Sequence, residues 1–562
     1  MKKLILLCVF SFSLLQTSLG QQHLVSYQLV QHYDIQDVQA ILNGFGIPPT
    51  VVAPEFELDY YKVSYTTSNA RGNGTTIATG ALVVPTGVTC PVPLVSYQHG
   101  TTTTKTSVPS YQGGSEYQIG VLASAIAGVV CAMPDYLGLG DEPGFHPYIN
   151  SRTEASATID MMRAARELKD SLGFNLNDQV FLFGYSQGGH STMAAFKEIE
   201  TNLSNEFTVT ACAPMSGPYD VSGVQAATIT NPQPYATPAY LPYVILGAQE
   251  AYGNVYNNLS EIFRSPYDTL LPSYFDGVHS TGWINNQLPD TPSHMLDSTF
   301  FSNYINDPNH FGRVLLREQD VYSWVPQAPL AMYYCEGDEQ VFYGNSVVAL
   351  DTMTALGALN VSATELGPTL DHTACAPLAI LSAFAFFELY MDLSGGMTLN
   401  NTVVDASSGT SNDGSITLLA NNGTGPYVYD WQGSLAGQTT DSVSGLAPDV
   451  YEVRVSDARG CYIKQDITVS VASSITSIDP ASNYFKIMPN PSQNTFYLKV
   501  VRPLNSSYNV SIIDMLGRTV HQTFNADSPF ISYDVSQIPN GTYWVRLEHE
   551  ADIYTQKLVI QR

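Results

Sequence analysis

The residues best suited to chemistry lie where a Gly-x-Ser-x-Gly pattern interrupts an apolar run. Gly184, Ser186 and Gly188 follow the apolar residues Val180–Phe183 and precede a run typical of a helix. Glycines two residues before and after the serine permit a sharp turn that presents its hydroxyl. At a helix N-terminus, free amides and the helix dipole favour developing negative charge. A glycine-rich turn in another α/β fold is the alternative, but the flanking strand and helix favour a nucleophilic serine.

A serine hydroxyl needs a base to take its proton and an acid to hold that base. Asp338 follows an apolar strand and a glycine, and His372 is the only histidine between Asp338 and the end of the strand–helix region. We therefore expect Asp338 to orient His372, and His372 to activate Ser186. Glu336 and Glu339 are the alternative acids, and Asp338 is preferred for its shorter reach and its place in the loop.

Acyl transfer also needs two backbone N–H groups that stabilise the oxyanion of the tetrahedral intermediate. Gln187, the residue after the nucleophile, should supply one of them. The other is expected in a loop after an early strand, where Gly100 permits close backbone approach and Thr101 supplies the amide. Without Ser186, His99 and Gly100 would equally well form a plain turn.

The remaining histidines of this region have weaker claims to a role. His190 lies on the helix that follows the nucleophile, where packing or support of the site is expected. His146, His279, His294 and His310 lie in stretches rich in Pro, Ser and Asn, which favours surface positions.

The elements that must position these residues alternate between strands and helices over residues 60–394. Apolar residues recur at three- and four-residue steps over Glu154–Leu172, as in an amphipathic helix. Strands joined by crossover helices imply a mostly parallel sheet covered on both faces. The buried strands are expected at Ala81–Val84, Pro93–Tyr97, Gly128–Ala132, Gln179–Phe183 and Leu330–Tyr334. The predicted fold class is α/β with a helical lid insertion, followed by two small all-β, sandwich-like modules.

The alternation lapses between about residues 218 and 329, which are rich in Pro, Tyr and Asn. Short helical pieces are expected at Tyr240–Tyr252 and Thr299–Ile305. An insertion of this length between core strands predicts a lid over the nucleophile. Its aromatic residues could line an acyl or alcohol pocket or simply pack the lid; they include Tyr243, Tyr252, Phe263, Trp283 and Trp324.

The two ends of the chain differ from the central part. A positive head and an apolar run predict a signal peptide over residues 1–20, followed by an N-terminal segment over 21–59. After the central part, short alternating strands separated by Gly, Asn, Ser and Thr predict β modules over 397–472 and 480–562, with a linker at 473–477. No later apolar stretch reaches the length of a membrane span, so no transmembrane helix is expected after signal removal.

Composition narrows the classes of function. The formal net charge is -27, and only 13% of the residues are charged. Phosphate contacts need clustered Lys and Arg, which the sequence lacks, so nucleic-acid binding is disfavoured. One of the seven cysteines lies in the predicted signal peptide, and the pairing of the others stays open. None has the CxxC spacing of a zinc site, so no metal is expected.

The motifs resemble those of the α/β-hydrolase superfamily over about residues 60–393. Within it, His99–Thr101, Pro134–Gly140 and Gly184–Gly189 look like the secretory lipases and related bacterial esterases. The resemblance implies two-step hydrolysis of a small-molecule or lipid ester. It also implies that Ser186 is acylated and that water then cleaves the acyl-enzyme without a metal or cofactor.

The two β modules resemble parts of exported proteins. Gly423–Trp431 and Asp457–Cys461 are similar to an SprB-like repeat of Bacteroidota adhesins, for which a single copy suggests a spacer. Met488–Pro491, Val510–Arg518 and Ile538–Tyr543 are similar to the C-terminal sorting domain of type IX secretion. That resemblance implies type IX machinery as a partner and a secreted or outer-cell-surface location.

Two other functions stay open on sequence alone. The same Ser, His and Asp would cleave amides in a serine peptidase of this fold. A surface binding protein with an inactive hydrolase domain is the other alternative, and the presence of Ser186, Asp338 and His372 argues against it.

Overall fold

The computed structural model describes most of the chain, namely residues 22–50, 52–472, 484–501, 506–515, 517–526, 528–549 and 552–562. The predicted signal peptide and the predicted linker at 473–477 lie outside these residues. Within them, no helix combines the length and apolar character that crossing a membrane requires.

A nine-stranded sheet forms the centre of the described structure. Its strands are β1 (Leu24–Tyr33), β2 (Leu58–Ser68), β3 (Thr75–Pro85), β4 (Pro91–Gln98), β5 (Val130–Pro134), β6 (Asn175–Tyr185), β7 (Val209–Met215), β8 (Leu330–Tyr334) and β9 (Val361–Glu365). The order is β1-β2-β3-β5-β4-β6-β7-β8-β9. Strands β4 to β9 pair in parallel, whereas β1, β2 and β3 are antiparallel. The predicted mostly parallel sheet is confirmed.

Helices cover both faces of this sheet. They are α1 (Ile35–Gly44), α2 (Tyr117–Ala127), α3 (Ser151–Leu172), α4 (Gln187–Asn202), α5 (Ala226–Thr230), α6 (Tyr240–Tyr252), α7 (Tyr267–Tyr274), α8 (Thr281–Asn285), α9 (Ser298–Asn306), α10 (Phe311–Arg317), α11 (Gly344–Ala355) and α12 (His372–Glu388). Helices α3, α4 and α11 pack on one core, and α1, α2 and α12 on the other. Because strand side chains alternate, Leu182 of β6 joins the first core and Phe181 and Phe183 join the second.

A helical insertion over residues 218–329 connects β7 to β8 and contains α5 to α10. It has its own apolar cluster, which includes Tyr243, Phe263 and Leu271. Tyr148, which lies between β5 and α3, joins this cluster. The insertion is therefore packed onto the loops that follow the parallel strands, where ligands bind in such sheets.

Two small antiparallel modules follow the α/β part, as predicted. The first contains β10 (Thr398–Val404), β11 (Gly414–Asn421), β12 (Val428–Trp431), β13 (Ser442–Leu446), β14 (Asp449–Ser456) and β15 (Tyr462–Val469). The second contains β16 (Phe485–Met488), β17 (Thr495–Val500), β18 (Tyr508–Asp514), β19 (Thr519–Ala526), β20 (Phe530–Asp534), β21 (Gly541–His549) and β22 (Asp552–Ile560). Each module forms two sheets around one apolar core.

Two disulfides resolve the pairing that the sequence left open. Cys90, before β4, is bonded to Cys461, before β15, and Cys335 is bonded to Cys375 of α12. Cys131 and Cys212 are buried free thiols. One bridge therefore joins the first β module to the α/β part, and the other lies inside the α/β part.

Candidate active site

Ser186 occupies the sharp turn between β6 and α4. Its backbone has φ 62° and ψ -123°, a conformation that side-chain-bearing residues rarely adopt. A Cβ atom on Gly184 would lie 2.5 Å from the Gly188 carbonyl oxygen, and one on Gly188 would lie 1.9 Å from the Gln98 carbonyl oxygen. Both glycines are therefore required for the turn to pack against the C-terminal end of β4.

Asp338 and His372 form a buried hydrogen-bonded pair. His372 Nδ1 lies 2.7 Å from Asp338 Oδ2. The other oxygen of Asp338 accepts hydrogen bonds from the backbone N–H groups of Gln340 and Val341, at 2.9 Å and 2.8 Å. The alternative acid Glu339 accepts instead from the backbone N–H of His372, at 2.9 Å. Asp338 thus orients the ring, and Glu339 holds the backbone that carries it.

The imidazole of His372 lies beside the serine turn. Tyr185, the residue before the nucleophile, donates a hydrogen bond from Oη to the His372 carbonyl at 2.6 Å, and the two rings are 4.9 Å apart. His372 is the first residue of α12, and Asp371 is the N-cap of this helix, with a side chain that accepts from the Ala374 N–H at 2.8 Å.

The loop after β4 is held by a carboxylate that sequence reasoning missed. Glu116 accepts hydrogen bonds from the Gly100 N–H at 2.7 Å and from Tyr97 Oη at 2.6 Å. A Cβ on Gly100 would lie 2.9 Å from the other oxygen of Glu116. Thr101 Oγ1 lies 3.0 Å from Tyr148 Oη. The N–H of Gly100 is therefore already bonded to Glu116, and the absence of a side chain on Gly100 leaves room for that carboxylate.

The side chain of Gln187 enters a buried polar network. Its Nε2 donates to Glu154 Oε1 at 2.8 Å and to His146 Nε2 at 2.7 Å. His146 Nδ1 donates to the Leu137 carbonyl at 2.7 Å. Burial lowers the pKa of His146 to about 4, so the ring is neutral. The prediction of a surface position for His146 is wrong. Contacts with Gln187 and Leu137 bury the ring, although the surrounding sequence is rich in Pro.

His190 completes this network from the same helix as Gln187. Its Nδ1 lies 2.6 Å from Glu154 Oε2, and its Nε2 lies 2.8 Å from the Gln319 carbonyl oxygen. Both partners can only accept, so both ring nitrogens donate and the imidazole is charged. Burial opposes this charge, but Glu154, the Gln319 carbonyl and Asp320 together outweigh burial and raise the pKa of His190. The expected packing role of His190 thus includes a buried ion pair.

A cavity of about 100 Å³ extends from Ser186 and Gln187 into the helical insertion. Its walls are mainly aliphatic and aromatic side chains of α5, α6, α9 and α10 and the segments around them, including Ile229, Leu241, Val244, Ile245, Ala248, Phe300, Phe311, Leu315 and Leu316. The five aromatic residues proposed from sequence are not among its lining residues. Tyr243 and Phe263 pack the insertion core, and Trp324 stacks edge-on against Phe196 of α4.

Comparisons with known proteins agree with this architecture. The secretory lipase family model matches residues 115–224, and the secretion system C-terminal sorting domain model matches residues 486–561. No curated protein matches the chain.

Solved structures give a likeness over the α/β part. A Legionella pneumophila protein described as a hydrolase is 32% identical, with a TM-score of 0.61, and the match covers 66% of this chain and 98% of that chain. The rice cell wall degrading esterase LipA from Xanthomonas oryzae is 28% identical, with a TM-score of 0.56, over 64% of this chain and 94% of that chain. The chain therefore belongs to the α/β-hydrolase family of these proteins, contains a secretory lipase domain and ends in a type IX sorting domain, which makes it a secreted or cell-surface protein.

Proposed function

We propose that this protein is a secreted serine hydrolase that cleaves carboxylic esters through an acyl-enzyme. The main support is the hydrogen bond of 2.7 Å between Asp338 and His372, beside a serine turn that borders an apolar cavity. Ser186 is the nucleophile, His372 is the general base and Asp338 orients His372.

The reaction follows from these roles. His372 takes the proton of Ser186 Oγ as that oxygen attacks the ester carbonyl carbon, and the backbone N–H groups of Gln187 and Thr101 stabilise the resulting oxyanion. His372 then donates the proton to the leaving alcohol. A water molecule, activated by the same imidazole, hydrolyses the acyl-enzyme and releases the acid. This sequence of steps requires no metal or cofactor.

The cavity supports an ester with an apolar acyl chain as the substrate. Burying a methylene group contributes about 0.8 kcal/mol, so aliphatic walls favour a hydrocarbon chain. A peptide would bring backbone amides into the same space, where unpaired polar groups are costly to bury. The cavity therefore favours ester cleavage over the peptidase alternative.

Export is part of the proposal. A signal peptide over residues 1–20 precedes an N-terminal segment over 21–59 and the hydrolase domain over 60–394. The module over 397–472, similar to an adhesin repeat, supports the enzyme, and the domain over 480–562 engages the type IX machinery.

Substitution of the nucleophile tests the proposed function. We expect Ser186→Ala to lower kcat for p-nitrophenyl esters by about 10⁴-fold or more, because no other group can form the acyl-enzyme. Ser382→Ala is the control, since its hydroxyl donates to the Leu378 carbonyl within α12, at 2.8 Å. Undiminished turnover by Ser186→Ala would falsify the assignment, and faster cleavage of peptides than of esters would favour the peptidase.

A further inference from the structure

One carboxylate holds the first turn of α4 at two points. Glu154 extends from the first turn of α3 and is 1% exposed. Its Oε1 accepts from Gln187 Nε2 at 2.8 Å, and its Oε2 accepts from His190 Nδ1 at 2.6 Å. Both partners lie in the first turn after Ser186. Glu154 is therefore bonded to the segment whose backbone must face the reacting carbonyl.

The partners of Glu154 leave this segment little freedom. His190 is fully buried and is also held by the Gln319 carbonyl at 2.8 Å. The second N–H of the Gln187 amide is directed to His146 at 2.7 Å. Breaking a buried charge pair by removing one partner is strongly unfavourable, so these side chains hold one arrangement. The first turn of α4 is thus fixed by side chains as well as by its helical hydrogen bonds.

We propose that Glu154 is a positioning residue that sets the backbone N–H of Gln187 for oxyanion stabilisation. This inference rests on the proposed function, which assigns that N–H to the oxyanion hole. Such donors act only when they lie about 2.7–3.1 Å from the oxyanion, and a displacement of about 1 Å can cost about 100-fold in rate. Glu154 itself touches neither substrate nor Ser186 in this role.

The test is Glu154→Gln in the full-length protein. The amide carries no charge and has one acceptor oxygen in place of two, so the ion pair with His190 is lost. We expect kcat to fall by about 10- to 100-fold while KM changes less than about twofold, because the oxyanion forms only after binding. A boronic acid inhibitor forms a tetrahedral adduct with the serine, and its inhibition constant should rise by the same factor as kcat falls.

The matched control is Glu167→Gln on the same helix. That carboxylate accepts from the backbone N–H groups of His23 and Leu24, at 2.9 Å and 2.8 Å, and both of these partners lie outside α4. It should leave kcat, KM and boronic acid affinity unchanged. Active sites are titrated with a fluorophosphonate, so that rates refer to folded enzyme.

The outcomes separate this inference from the proposed function. If Ser186→Ala is inactive and Glu154→Gln keeps wild-type kcat per active site, Glu154 has no positioning role. A lower melting temperature with unchanged kcat likewise overturns the inference, because it reveals a purely structural contact. If Glu154→Gln does not fold, Gln187→Met provides the test instead. This variant removes the hydrogen bond between the Gln187 side chain and Glu154 and leaves the backbone N–H of residue 187 in place. Unchanged kcat in that variant overturns the inference as well.

Discussion

Several ionisable side chains of the active-site region are buried, and each has a specific partner. Glu154 is paired with His190, and His146 stays neutral between a donor and an acceptor. Asp135 accepts from the Ser110 N–H at 2.9 Å and from Thr79 Oγ1 at 2.6 Å, and burial raises its pKa. Because an unpaired buried charge is costly, such pairs make the surroundings of the serine rigid.

The neutral state of His146 predicts a pH dependence of stability. Burial lowers its pKa to about 4, from an ordinary value of 6.5 that the unfolded chain should show. Between these values the unfolded state binds a proton that the folded state does not, so stability falls as the pH decreases. We expect wild type to lose about 2 kcal/mol more than His146→Gln between pH 8 and pH 5, measured by urea unfolding. Parallel pH dependences in the two proteins would contradict this.

At the residue scale, the sequence indicates the groups whose roles depend on local chain geometry. A turn with two glycines predicts Ser186 and Gln187 together, and an acid after a strand predicts Asp338. Glu154 and Glu116 are not predictable in this way, because their roles arise from contacts between segments distant in sequence. Glu154 begins a helix rich in charged residues and resembles its solvent-facing neighbours, although its face of α3 is buried.

At the element scale, strands with continuous apolar runs were predictable, and others were not. The runs within β3, β4, β5, β6 and β8 were identified from sequence. Strand β7 was missed because it contains Ala211, Ala213 and Pro214, which have low strand propensity. Strand β9 is half-buried throughout and β1 is mostly exposed, so neither carries a strong apolar signal.

Blocking the cavity in the insertion tests the role of α6. Ala248 is 5% exposed and lines the cavity, so Ala248→Phe places a ring where an acyl chain would lie. Losing burial of about two methylene groups costs about 1.6 kcal/mol, which is about 15-fold. We expect kcat/KM for a dodecanoyl ester to fall by about this factor. The kcat/KM for an acetyl ester should change less than about twofold, because its acyl chain does not reach the cavity walls.

The control for this variant lies on a neighbouring helix of the insertion. Leu270 of α7 is 36% exposed and does not line the cavity, so Leu270→Phe should leave the chain-length profile unchanged. An equal loss on both esters in Ala248→Phe would indicate a general disturbance of the site rather than a blocked acyl cavity.

At the scale of the whole molecule, the first β module is docked onto the α/β part. The Arg459 carbonyl accepts from the backbone N–H groups of Thr89 and Cys90, at 3.1 Å and 3.0 Å. Lys464 Nζ lies 3.1 Å from Glu388 Oε1 across the same junction. With the Cys90–Cys461 bridge, these contacts make the module part of the enzyme body, which a simple spacer would not require.

The disulfide should supply most of this attachment. Its ends are 371 residues apart, so it restricts nearly the whole hydrolase region in the unfolded state. We expect Cys90→Ala/Cys461→Ala to lower the free energy of unfolding by about 2–4 kcal/mol, measured by urea unfolding under oxidising conditions. Lys464→Gln removes an exposed ion pair of the same junction and should cost at most about 1 kcal/mol. If the free energy of unfolding falls by the same small amount in both variants, the covalent bond does not anchor the module. The hydrolase would then be expected to fold equally well without residues 397–472.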